Sequence, residues 1–117
     1  MANRRSAATE LARFPNEIDK VVPALVKALA DPDTDVRIRA MEPLKTFGED
    51  SQPAGAVLRE LLHQNSDGPI RQHAVSLLGS IKDGDAVPIL ITALDDRDPL
   101  VRLEATRSLG NFRPGIA

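Results

Sequence analysis

The chain has no cysteine, tryptophan or tyrosine, and its aromatics come down to Phe14, Phe47 and Phe112. Without cysteine there is no disulfide framework, no thiolate nucleophile and no cysteine-ligated zinc site, a pattern that fits a reducing compartment. An excess of one charge is also missing. Fifteen Lys and Arg stand against 17 Asp and Glu, a net charge of −2, so nothing draws the chain generally toward nucleic acid. No apolar run approaches the roughly 20 residues of a membrane span. No hydrophobic stretch follows Arg4 and Arg5, so no secretory leader is expected and the expected location is cytoplasmic. What is present is an ordinary globular composition, 42% hydrophobic and 27% charged over 117 residues, the size of one domain. With so few aromatics, the core must be built of Leu, Val, Ile and Ala, which suits closely packed helix layers.

One phrase is written three times. It reads Asp33-Thr34-Asp35-Val36-Arg37-Ile38-Arg39-Ala40, then Asp67-Gly68-Pro69-Ile70-Arg71-Gln72-His73-Ala74, then Asp98-Pro99-Leu100-Val101-Arg102-Leu103-Glu104-Ala105. The Val/Ile-Arg pair that aligns the copies begins at Val36, at Ile70 and at Val101. A recurrence at this period means one supersecondary unit stacked on itself.

Each unit reads as two helices joined by a tight turn. First helices are seeded by Val21, Val22, Leu25, Val26 and Leu29, by Val57, Leu58, Leu61 and Leu62, and by Leu90, Ile91 and Leu94. The spacings of three and four make one apolar stripe. Pro23 and Pro88 are read near helix starts, where a missing N–H costs little. The middle unit places its first helix one position further from the Ile-Arg pair, which implies an insertion in the turn Gln64-Asn65-Ser66. Second helices carry Val36, Ala40, Leu44 and Phe47; Ile70, Ala74, Leu78 and Ile81; and Val101, Ala105, Leu109 and Phe112. The recurrent Ala suggests a close helix crossing. Short acidic residues in the turns are placed to cap these helices. Gly79, Gly84, Gly110 and Gly115 lie at or near helix ends and read as stops and turns rather than a phosphate cradle. Pro43, inside a second helix, should kink it.

A partial fourth copy comes first: Arg4, Ala7, Leu11 and Phe14 follow one another at the same steps as Arg37, Ala40, Leu44 and Phe47. The expected organisation is a single domain over 1–117, with a partial repeat at 1–15 and repeats at about 16–49, 50–83 and 84–113. An array whose ends lack a covering unit exposes apolar flanks, so a longer array and self-association through open terminal repeats are both expected routes to covering them.

The phrase Asp-x-x-Val-Arg-x-x-Ala-x-x-x-Leu, matched at 98–109 and by Asp31 or Asp33 through Leu44, resembles HEAT-like repeats, in particular the short variety of phycobilisome lyase subunits. The resemblance runs over roughly residues 3–112. It implies an all-α fold, a right-handed α-solenoid of about three and a half helix-turn-helix repeats. It also implies a ladder in which Asp33, Asp67 and Asp98 meet Arg37, Arg71 and Arg102, within a unit or across to the next. The spacing of four from Asp to Arg in every copy agrees with that ladder.

In such solenoids the outward face of the second helices lines the concave surface, the expected partner site. Here it would carry Arg39, Glu42, Lys45 and Thr46; Gln72, His73, Ser76 and Ser80; and Glu104, Arg107, Ser108 and Asn111, preceded by Arg5, Ser6, Thr9 and Arg13. The residues singled out for partner binding are Arg39, Glu42, Lys45, His73, Ser76, Glu104 and Arg107. His63 and His73 lack a following Glu, and no nucleophile stands with a base. No catalytic residue, metal site or cofactor is therefore expected. The reading that results is a non-catalytic scaffold module that binds another protein through this concave face. Two alternatives stand beside it: a subunit of a bilin chromophore lyase, or a HEAT-like DNA-binding protein, the latter disfavoured by the acidic balance and the missing Tyr and Trp.

Overall fold

A computed structural model of the chain describes residues 18–64 and 67–112. These residues fold into six α-helices: α1 (Ile18–Ala28), α2 (Thr34–Phe47), α3 (Gly55–His63), α4 (Gly68–Ser80), α5 (Val87–Ala93) and α6 (Pro99–Leu109). Short 3₁₀ segments at Gly48–Ala54 and Gly84–Ala86 lead into α3 and α5. No strand occurs among the described residues, and no helix there is long and apolar enough to cross a membrane. The helices pair as α1–α2, α3–α4 and α5–α6. The second helices α2, α4 and α6 pack side by side in one layer.

The stripes read from the sequence are the core. Leu25, Leu29, Leu44, Leu58, Leu78, Ile81 and Leu90 are fully buried, as are Ala40, Ala74 and Ala105 on the second helices. Phe47 and Phe112 pack half-buried against that core. A core of aliphatic residues between two helix layers is what the lack of aromatics requires.

The turns explain where the second helices begin. Asp33, Asp67 and Asp98 are N-caps in extended backbone. Their Oδ1 atoms accept from the N–H of Asp35 at 2.9 Å, of Ile70 at 3.2 Å and of Leu100 at 2.9 Å. Just before these caps, Asp31 and Asp96 accept from the N–H of Asp33 and Asp98, each at 2.8 Å. A carboxylate at a helix N-terminus satisfies a donor the helix cannot and complements its dipole.

One expectation changes. Pro23 lies inside α1, beyond its first described turn, rather than at the start. Gly79 does stand next to a helix end, one residue before Ser80, but it is also buried where a neighbouring helix comes close. Pro43 is buried inside α2, and the helix runs on through it to Phe47. The partial copy at 1–15 and the insertion at Asn65-Ser66 lie outside the described residues.

Candidate functional site

Two junctions stack the three helix pairs, and they differ. At the junction of α4 and α6, a Cβ placed on Gly79 would stand 2.5 Å from Ser108 Cβ and 2.6 Å from its Cα. Only glycine allows the backbones to approach this far. Ser108, buried, donates from Oγ to the Val75 carbonyl oxygen at 2.7 Å. It is therefore a crossing residue, where the sequence reading placed it on the exposed face.

Two ion pairs clamp the same junction. Arg71 donates from Nε to Asp96 Oδ2 at 3.0 Å and from Nη2 to Asp96 Oδ1 at 3.1 Å. Arg59 Nε donates to Asp83 Oδ2 at 2.9 Å in the first-helix layer. Burial opposes ionisation of Asp96. The hydrogen bonds from Arg71 and from the Asp98 N–H, with the charges of Arg71 and Arg97, outweigh that and hold the carboxyl below its ordinary value.

The ladder expected from the resemblance is thus corrected. The arginine reaches across to the next unit, but its carboxylate is Asp96, which stands just before Asp98 in the turn. Asp67 and Asp98 cap helices instead of pairing with Arg71 and Arg102. Arg37 donates to the Asp31 carbonyl oxygen at 3.1 Å and to Thr34 Oγ1 at 3.1 Å, not to the Asp33 carboxylate. Its Nε is buried without a partner. The physical reason is reach: the Arg71 side chain crosses to the turn of the following unit, where Asp96 takes the guanidinium on both oxygens while its Oδ1 also accepts the Asp98 N–H.

At the junction of α2 and α4 the helices leave a groove of about 470 Å³ lined by Met41, Glu42, Lys45, Thr46, His73, Ser76 and Leu77. Met41 and Leu77 are buried and form its apolar floor. Glu42, Lys45 and Thr46 are exposed along one wall, and half-buried His73 and Ser76 form the other. Lys45 Nζ donates to Ser76 Oγ across the groove at 3.1 Å, and Thr46 Oγ1 donates to the Glu42 carbonyl oxygen at 3.3 Å. The groove therefore offers an ammonium, a carboxylate, an imidazole and two hydroxyls over an apolar base.

Four of the seven residues singled out for partner binding meet here: Glu42, Lys45, His73 and Ser76. Arg39 is exposed on α2 outside the lining. Glu104 and Arg107 sit on α6 and satisfy each other, Arg107 Nη1 donating to Glu104 Oε1 at 3.3 Å. Sequence reasoning missed the floor residues Met41 and Leu77, although a signal was there. Met41 adjoins Glu42 and Leu77 adjoins Ser76, and an apolar residue next to a polar stripe marks where the stripe meets the core. His63 is exposed at the end of α3 and is not among the residues that line the groove, whereas His73 is. Among the described residues no group of three His, Cys, Asp or Glu side chains is placed to hold a metal ion.

No curated protein matches the chain. The family model described as HEAT repeats matches twice, over residues 2–75 and 55–115. Those two matches span the three helix pairs and both junctions just described, and together they show that the chain belongs to the HEAT-repeat family.

Proposed function

We propose that the protein is a non-catalytic cytoplasmic module that binds another protein through the groove between α2 and α4, on what would be the concave face of the stack. HEAT repeats commonly mediate protein–protein interaction. The observation that carries the finer reading is the groove itself. An apolar floor of Met41 and Leu77 under a rim of Glu42, Lys45, Thr46, His73 and Ser76 has the build of a recognition site, in which apolar contact supplies affinity and a few polar groups fix register. Both charge signs line it, so a partner segment with mixed charges and one or two apolar side chains fits best.

Site-specific photo-crosslinking tests this. A crosslinking amino acid at Thr46, in the groove, and one at exposed Lys20 on α1 give a matched pair. Adducts with one discrete protein from Thr46 and none from Lys20 support groove binding. The same adduct from both positions, or from Lys20 alone, rejects it.

A further inference from the structure

The second helix pair seats the third with a small set of devices, and the third carries the arginine of that set on its outer side. In the register of the repeats, Arg102 stands where Arg71 stands. Arg102 Nη1 donates to the Asp96 carbonyl oxygen at 2.7 Å, as Arg37 Nη1 does to the Asp31 carbonyl oxygen. That bond fixes the guanidinium over its own turn. The remaining groups, Nε and Nη2, make no hydrogen bond to a described residue. They are the two groups with which Arg71 forks onto Asp96. Arg102 is therefore a fork held ready for a carboxylate.

The apolar surface around it tells the same story. Every exposed large hydrophobic among the described residues falls in the third pair: Ile91, Leu94, Leu100 and Leu103. Leu100 matches Asp35 and Pro69, exposed in every repeat, so it carries no information. The other three differ from their equivalents. Leu94 is 37% exposed where Leu29 is fully buried. Leu103 is 45% exposed where Ile38 is half-buried against the core. Ile91 is 54% exposed where Val26 packs against the core and Arg59 reaches Asp83 of the next pair. On α6, Leu109 is half-buried where Leu44 and Leu78 are fully buried. These are the positions that a following helix pair covers in the inner repeats.

We infer that the outer face of α5 and α6 is a docking end for a partner helix pair whose inter-helix turn presents an aspartate. The carboxylate accepts from Nε and Nη2 of Arg102, and the apolar stripe of the pair covers Ile91, Leu94, Leu103 and Leu109.

The test extends the full chain. Gly115-Ile116-Ala117 stand in register with Gly84-Asp85-Ala86, so a copy of residues 87–112 appended after Ala117 supplies a helix pair with a known acidic turn. Urea unfolding is then compared for four proteins: the chain and the extended chain, each with and without Arg102→Ala. The expected result is one cooperative transition in the extended chain, with Arg102→Ala lowering its folded-to-unfolded ratio by about tenfold more than in the unextended chain. Asn in place of the appended copy's Asp96 equivalent should give the same loss, and the two changes together no more than either alone. Equal cost of Arg102→Ala in both chains, or a separate transition for the appended pair, overturns the proposal. So does a concentration-dependent dimer of the unextended chain that survives Arg102→Ala and is lost in Leu103→Asp, because a second copy would then cover the face through apolar contact alone.

Discussion

Lys45 and Leu77 line the gap between α2 and α4, while the same register positions between α4 and α6 hold Gly79 and Ser108. Large side chains at one crossing hold the helices apart and leave a groove. The smallest at the other bring backbone to side chain within contact and let a hydroxyl reach the neighbouring helix. The less exposed ion pairs follow the same division, the open junction having the exposed pair of Lys82 and Glu49 at 3.2 Å. Arg71 finds Asp96 across the close junction, whereas the middle unit carries Asn65 where the third has Asp96 and the first Asp31. One repeat thus builds either a clamp or a recess, depending on two positions per junction and one turn residue.

Breaking the close junction should cost most. Gly79→Val places branched carbons where even a Cβ stands 2.5 Å from Ser108, and overpacking of this kind should destabilise the chain by about 3 kcal/mol. A urea midpoint unchanged from the parent would refute the close crossing. Next comes the fork. Asp96→Asn leaves the buried Arg71 without its countercharge and should lose about 2 kcal/mol at neutral pH.

That loss carries a pH signature. Asp96 titrates lower in the fold than its ordinary value of 3.8, so the unfolded chain takes up the proton first. The stabilisation is complete above 3.8 and is lost as pH falls below it toward the folded value. Parent and Asp96→Asn unfolding curves should therefore converge in that acid window and stay separated above it. Parallel curves throughout would assign the loss to packing.

Removing the Ser108 hydroxyl with Ser108→Ala should cost about 1 kcal/mol, the net value of one hydrogen bond, measured in the same urea series. At the open junction, Lys45→Ala should change stability by no more than about 0.5 kcal/mol, because its contact to Ser76 is exposed. A larger loss there would show that the two junctions are less different in energy than in geometry.

The helices, their stripes and their caps were legible in the sequence because each rests on local spacing: Leu25 to Leu29, Ala40 to Leu44, Asp before each second helix. Contacts between units were legible only in outline. The equal step from Asp67 to Arg71 and from Asp98 to Arg102 suggested a pair, but Asp67 and Asp98 cap their own helices and Arg71 reaches across to Asp96 in the next turn. Gly79 was legible as a residue near a helix end, and α4 does end at Ser80, but its close approach to α6 was not. Its meaning depends on Ser108, two helices further along the chain, and no spacing rule within one helix connects them. Glu42, Lys45, His73 and Ser76 were found as an outward polar face. That they share a groove, and that Arg39 lies outside it, depends on how far apart Lys45 and Leu77 hold two helices.

The bond from Ser108 to the Val75 carbonyl has a kinetic consequence. In an α-helix that carbonyl also receives the N–H one turn on, here that of Gly79. One oxygen therefore serves the last turn of α4 and the C-terminal part of α6 together. Amide hydrogens of Gly79 and of the residues around Ser108 should exchange with solvent at a shared rate, set by a single opening of both helices. Across the groove no such shared acceptor exists among the described residues, and α2 should exchange on its own clock.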